Sequence, residues 1–420
     1  MKNMKKILGI LFALVMISVL GTPITLAAGT STFEDLNTLT ADDLADALVG
    51  TGVSIVPATV SFTGAPEAAG TFEFTGDYDV IGISSGIILS SGNIADVEGP
   101  NDDSATTTDF GLAGDADLDA LSGYTTYDAT ILEFDFEVDP GAEKIYFSYV
   151  FGSDEYNFYV YTPFNDVFAF YVNGVNYAEV GGDPVSINTI NNGNINYPGN
   201  PPSNPDLYIN NDPFHADING YLVPNEDLLF TEMDGFTKVL VFEADVNPGE
   251  TNTMKLAIAD ASDHILDCWV FIEAGSLSII PPEENVYVDI KPGSWPNPMN
   301  TKDKGVLPVA ICGTEDFDVC CIDPASIIIC LEENGVGVSP IRWSYEDVAT
   351  PWTGDDGGGH CLMGDGYMDL CLKFSNQEVV TTLGLGCFIG DTIPLFIKGN
   401  LKEECDGTPI IGHDWVWIIK

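Results

Sequence analysis

Period-two patterning does most to limit what this chain can fold into. In "KIYFSYVFG" (144–152), Ile145, Phe147, Tyr149 and Phe151 fall on one face, and in "FNDVFAFYVNG" (164–174), Phe168, Phe170 and Val172 do the same. Alternation of this kind marks strands that bury one face in a core. Further short runs rich in Val, Ile, Phe and Tyr, each closed by Gly, Pro or Asp, are "VSIVPATVSFTG", "GTFEFTG", "GIILSSG", "ATILEFDFEV", "TKVLVFEADV", "TMKLAIAD" and "CWVFIEAGSLSI". Many short strands with turn residues between them predict an all-β architecture, an N-terminal β-sandwich of jelly-roll type. One short helix interrupts them. Thr40 followed by Ala41-Asp42-Asp43 has the form of a capping box, and Leu44, Leu48 and Val49 supply an apolar side.

Residues 187–228 are rich in Asn, Pro and Gly and read as a long excursion over the sandwich. The segment "IPPEEN" reads as a linker. The expected division is a signal peptide at 1–28, a sandwich domain at 29–278, a linker at 279–285 and a smaller disulfide-rich β-sandwich domain at 286–420. The signal rests on Lys2, Lys5 and Lys6, an apolar core from Ile7 to Leu20, and the small-residue site Thr25-Leu26-Ala27-Ala28. That apolar run is short for a membrane span and no second one follows, so no transmembrane segment is expected in the mature chain. The terminal "HDWVWIIK" reads as neither a hydrophobic anchor nor a sorting tail. A secreted, extracellular or cell-surface location follows from the signal.

Without the signal the chain keeps 11 Lys and Arg against 64 Asp and Glu, a balance of −53, and Arg342 is its one arginine. Nothing in such a chain neutralises phosphates, so nucleic acid is excluded as a partner. Two causes of the acidity stand open: bound divalent cations, or a saline habitat in which acidic surfaces keep proteins soluble. With 45% of its residues apolar, the chain is not a disordered one.

All nine cysteines lie between 268 and 405. In an exported chain the late cluster of Cys312, Cys320, Cys321, Cys330, Cys361, Cys371, Cys387 and Cys405 reads as a disulfide framework. The neighbours Cys320 and Cys321 are expected to take different partners. No Cys/His spacing resembles a zinc finger. Cys268 stands apart and is read as a buried free thiol.

Oxygen-bearing breaks between strands are the candidate sites. "SDEY" follows one strand and "FND" precedes the next, so Asp154, Glu155, Asn165 and Asp166 stand at strand ends. "ADASDHILDCWVF" adds Asp260, Asp263 and Asp267. Antiparallel pairing brings such breaks to one end of a sandwich, and hard oxygens suit calcium, which takes roughly six to eight of them. The alternative use is ordinary strand capping. Two weaker candidates follow. In "GDADLDALSG", Asp115, Asp117 and Asp119 alternate as in the first half of a calcium loop, but Ala120 stands where that loop needs glycine. In "GDGYMDL", Asp365 and Asp369 match the later part of such a loop, or a plain Asp-Gly turn.

Catalytic motifs are thin. Gly82-Ile83-Ser84-Ser85-Gly86 fits G-x-S-x-G, yet it runs into a strand where a nucleophile elbow needs a helix. His215, His264, His360 and His413 are scattered without zincin spacing.

A family resemblance rests on separate motifs in order. "LVGTGVSI", "GIILSSGN", "DLDALSG", "ATILEFDFEV", "FSYVFGSDEY", "FNDVFAFYVNG", "PVSINTIN", "DGFTKVLVFEADV" and "LAIADASDHILDCWVFIEAGS" together resemble the choice-of-anchor L domain over about 44–277. The resemblance implies a secreted or surface-displayed β-rich module and supplies no enzyme. Cys268 stands where a small residue such as Ser is expected. "VDIKPGSWPNPMN", "KGVLPVAICGTEDFDV", "IDPASI", "EDV" and "DGYMDLCLKF" are similar to a recurrent prokaryotic extracellular module with no defined catalytic role.

Together these readings predict a calcium-binding adhesion or binding module of the cell envelope or matrix. Its expected partners are an extracellular glycan, a surface protein or further copies of itself. A carbohydrate-binding or carbohydrate-active protein, and a structural surface-layer or filament component, are the competing expectations.

Overall fold

A computed structural model describes residues 29–76, 80–102, 105–194, 199–216, 222–225, 228–315, 317–331, 335–354, 358–405 and 407–420. The signal peptide expected at 1–28 lies outside them. Its early strands are β1 (Thr30–Asp35), β2 (Val53–Ile55), β3 (Ser61–Thr63), β4 (Ala69–Thr75), β5 (Ser85–Ser90), β6 (Thr126–Val138), β7 (Lys144–Ser153), β8 (Val167–Val172) and β9 (Val175–Asn176). The hairpin β10 (Glu179–Val180) and β11 (Asp183–Pro184) precedes the excursion, which carries β12 (Tyr208–Asn210) and the hairpin β13 (Phe214–Ala216) and β14 (Leu222–Pro224). The sandwich closes with β15 (Gly235–Thr237), β16 (Leu240–Asp245), β17 (Asn252–Ala261) and β18 (Cys268–Glu273).

The larger sheet runs β1-β4-β5-β18-β7-β15-β12 with β16 also on β7, and the smaller runs β2-β6-β17-β8-β9 with β3 on β6. The strands β5, β6, β7, β8, β16, β17 and β18 fall alternately in the larger and the smaller sheet, which is the crossing pattern of a jelly roll. Between the sheets lies an aromatic core. The Phe147 ring is 4.0 Å from that of Phe170 across the sandwich and 4.2 Å from that of Phe242. Ile145, Phe147, Tyr149, Phe151, Phe168, Phe170 and Val172 all join this core, as their alternation predicts.

Both sheets are also covered outside. Phe72, Phe74, Ile88, Val150, Phe236, Trp269 and Phe271 form a second cluster on the larger sheet. On the smaller sheet, Ala169, Val167, Ala257 and Ala259 pack with Leu118 of a helix. This explains why "GIILSSG" and "CWVFIE" read as continuous apolar runs: each has two buried faces.

Helix α1 (Ala41–Leu48) starts at the predicted capping box, with Thr40 and Asp43 bonded reciprocally, and buries Leu44, Ala45 and Leu48. Two helices went unread in the sequence, α2 (Ala116–Ser122) and α3 (Asn376–Thr382). Each spans two turns, too few for a clear 3.6-residue period.

A separate core occupies 286–418. One of its sheets contains β19 (Glu284–Asn285), β21 (Asn297–Asn300), β23 (Ile328–Cys330), β26 (Thr392–Asn400) and β27 (Pro409–Ile419). The other contains β20 (Val288–Ile290), β22 (Val306–Ile311), β24 (Arg342–Glu346) and β25 (Asp369–Ser375). Glu284 and Asn285 pair with β27, so the connection between the two cores is shorter than "IPPEEN" suggests.

The cysteine framework is sparser than the sequence reading. Among the described residues, Cys321 and Cys405 are bridged, while Cys312, Cys330 and Cys371 are buried thiols and Cys320, Cys361 and Cys387 exposed ones. The buried thiols pack as small apolar groups on strands or at their ends, a use that spacing along the chain does not reveal. No described helix is long and apolar enough to cross a membrane.

Candidate carboxylate centre

Strand register builds the site. Ser153, the last residue of β7, lies opposite both Cys268 on β18 and Gly235 on β15. Asp154 therefore leaves its strand beside Asp267 and Asp234, each of which immediately precedes a neighbouring strand. In the smaller sheet, Val167 pairs with Ala259, which sets Asp166 beside Asp260. A register slip between Ile258 and Asp260 bends β17 at this end, and such a bulge re-aims a side chain. Asp154, Glu155, Asp166, Asp234, Asp260 and Asp267 are all buried, with exposures of 0–2%.

Backbone, hydroxyl and side-chain amide donors hold the carboxylates in place. Thr106 N–H donates to Asp154 Oδ2 at 2.8 Å, and Thr108 N–H to Asp267 Oδ2 at 2.9 Å. Ser153 Oγ donates to Asp166 Oδ2 at 2.8 Å and Ala261 N–H to Asp166 Oδ1 at 3.3 Å. Asn101 Nδ2 donates to Asp234 Oδ1 at 2.9 Å. Glu155 differs: its Oε2 is buried and has no hydrogen-bond partner among the described residues, and neither has the Tyr156 hydroxyl.

No ion pair between described residues reaches Asp154, Glu155, Asp166, Asp260 or Asp267. Their acidities record the strain of that arrangement. Burial, then the charges of Asp166, Asp263, Asp154 and Asp234, pushes Glu155 up to about 11. Burial also raises Asp166 to about 8 against the donors that favour its ionised form, and Asp267 to about 7. Asp154 and Asp260 are held well above the carboxylate range, by burial first and then by Asp234 and Asp166 respectively. Carboxylates gathered in a dry place either keep protons or need a compensating cation.

Of the candidates read from the sequence, Asp154, Glu155, Asp166 and Asp260 come together here. Asp263 sits half-buried at the rim, where its carboxylate caps Ile265 N–H at 3.1 Å and its charge reaches Glu155 and Asp166. Asn165 is buried but its Oδ1 accepts from Asn188 N–H at 3.2 Å, tying the break to the excursion. Asp234 was missed: "EMDGF" carries an acid before a strand, the same signal as "FND", but inside a loop-rich stretch.

The two weaker candidates have other partners. Asp115 caps α2, and Lys255 Nζ lies 2.8 Å from Asp115 and 2.6 Å from Asp117. Asp119 accepts from Thr126 Oγ1 at 2.8 Å. The stretch folds as a capped helix that carries these carboxylates toward a lysine and a strand start. Asp369 is buried and accepts from the backbone N–H groups of Gly313, Val348 and Ala349 at 3.1, 2.7 and 2.9 Å. Asp365 is exposed and caps Tyr367 N–H at 3.0 Å, as an Asp-Gly turn does.

Among the described residues, two groupings have metal-ligand proximity. Atoms of Asp166, Asp260 and Cys268 lie within 4.8 Å of one another, as do atoms of Asp109, Asp128 and His264. Burial and the charges of Asp166 and Asp260 raise the Cys268 thiol well above its ordinary range, and its Sγ lies 3.4 Å from Ser91 Oγ. It is therefore a protonated packing residue, and the donors around it are oxygens. His264 Nδ1 stands 2.8 Å from Asp128 Oδ2. Oxygen donors from several loops, one of them an orphaned carboxylate oxygen, fit a hard cation such as calcium better than zinc.

No curated protein matches the sequence. The crystal structure of the N-terminal domain of the Streptococcus gordonii adhesin Sgo0707 aligns with 90% of this chain and 96% of that one, at 8% identity and a TM-score of 0.20, a likeness too slight to carry an argument. The model of the choice-of-anchor L domain matches residues 32–278, the whole jelly roll together with its carboxylate end, and the chain belongs to that family.

Proposed function

We propose that this protein is a calcium-loaded binding or adhesion module at the cell surface or in the extracellular matrix, in which the cation locks one end of the jelly roll. Family membership points to a surface-associated module. The observation that carries the calcium reading is Glu155, whose Oε2 is buried without a partner amid the charges of Asp154, Asp166, Asp234 and Asp263. A hard divalent ion would offset that repulsion, held by Asp166 and Asp260, whose carboxylates stand within ligand distance of each other, with Glu155 turning toward it from beside them. The loops joined there, from 105 to 108, 154 to 166 and 261 to 267, would then be ordered together for contact with a partner.

Calorimetric titration of metal-stripped protein with calcium, magnesium and zinc tests this. Saturable calcium binding is expected, with a rise in Tm, because a ligand that binds only the native state stabilises it. Asp166→Asn and Glu155→Gln should each weaken calcium binding at least tenfold, while Glu137→Ala, on an exposed strand position, should not. Calcium affinity equal in all four proteins, or no binding, would leave the carboxylates as protonated strand caps.

A further inference from the structure

The second core carries a cleft that the calcium reading does not use. Asp289 on β20, Asn297 at the start of β21 and Asp414 on β27 converge at its base, and Trp295, Trp352 and His360 stand around it. The base is short of donors. Asn297 Nδ2 is spent on Asp414 Oδ2 at 2.9 Å and on Trp415 O at 3.0 Å, and Ile290 N–H also donates to Asp414 Oδ2 at 2.6 Å. That leaves Asn297 Oδ1 and Asp289 Oδ2 buried without a partner among the described residues, on side chains 2% and 8% exposed. No ion pair between described residues reaches Asp289 or Asp414.

The ligand chemistry follows from size, charge and walls. The enclosed space is ≈ 20 Å³, room for one water-sized group and not for a sugar ring. The group must donate hydrogen bonds, since both orphaned atoms accept. It should be positive, since two carboxylates share the base. Calcium would need roughly six to eight oxygens, and this cleft is walled by indole rings. A primary ammonium has three donors, one positive charge and a favourable interaction with indole faces.

We propose that this cleft binds a protonated primary amine at the end of an unbranched aliphatic chain, as carried by a lysine side chain or a small free amine. The head would bond Asp289 Oδ2 and Asn297 Oδ1, and the stem would leave along Trp352, whose side chain is 41% exposed. Burial and the charges of Asp414 and Asp369 push Asp289 up to about 7, a repulsion that a cation relieves. The strongly acidic surface would concentrate such cations near the mouth.

Titrating the full chain at pH 8 with n-butylammonium, Nα-acetyl-lysine methylamide and, as a neutral match, n-butanol provides the test. The ammonium should bind at least tenfold more tightly than the alcohol. Asp289→Asn should remove that preference, and Trp352→Ala, at an exposed position, should weaken binding severalfold with Tm unchanged. If the lysine derivative binds as well as the free amine, the natural ligand is a side chain on a partner surface. If n-butylammonium alone binds, it is a free amine. Absence of ammonium binding, equal binding of the alcohol, or full binding in both variants overturns the proposal. None of these outcomes depends on the carboxylate centre of the jelly roll.

Discussion

At the scale of single residues, the jelly roll keeps its acids where water does not reach them. Asp166 and Asp267 are raised by burial to about 8 and about 7, against about 4 for a free carboxylate. The folded, metal-free protein therefore holds protons that the unfolded chain has released. By linkage, the stability these groups contribute is present below about pH 4 and is lost as pH rises through about 7 to about 8. Metal-stripped protein should show a falling Tm between pH 5 and pH 8. Saturating calcium should abolish or reverse the slope, since the ion favours the ionised forms. Scanning calorimetry across that range checks both arms, and a stripped protein whose Tm stays level or climbs would contradict the assignment.

Secondary-structure elements explain why carboxylates of the same appearance serve different ends. Asp115 stands at the start of α2, where its Oδ1 accepts from Asp117 N–H at 3.0 Å and Leu118 N–H at 3.2 Å and also meets Lys255. Its work is helix capping. Asp115→Ala should cost about 1–2 kcal/mol in denaturant unfolding, and calcium affinity should stay at the wild-type value. A loss of calcium binding in this variant would restore the loop reading of "GDADLDALSG". The alternating acids were legible as a polar feature, but the lysine that answers them is 140 residues away in sequence for Asp115. No local pattern could supply that partner.

For the whole molecule, two separate cores imply two cooperative units. The Cys321–Cys405 bridge spans 84 residues of the second. Replacing Cys405 with Ser should lower the stability of that unit by about 2–4 kcal/mol, chiefly by freeing its unfolded chain. The calcium-responsive transition should not move. A calorimetric scan in which both transitions fall together would show instead that the units unfold as one.

The sequence by itself determined the strand-rich class, the inward faces of β7 and β8, the capping box of α1 and the strand-end position of the acids. Each is written in spacings of two to four residues, the range over which backbone geometry fixes where side chains point. Tertiary structure alone decided which acids meet. Asp154 reaches Asp234 because Ser153 pairs with Gly235, and Asp166 reaches Asp260 because Val167 pairs with Ala259. Strand register between distant segments is set by the shared core and leaves no local trace. The same limit hid the cleft of Asp289, Asn297 and Asp414, and the pairing of Cys321 with Cys405 out of eight clustered cysteines. Spacing along a chain counts such residues, whereas only the packed fold sets the few ångströms that decide their chemistry.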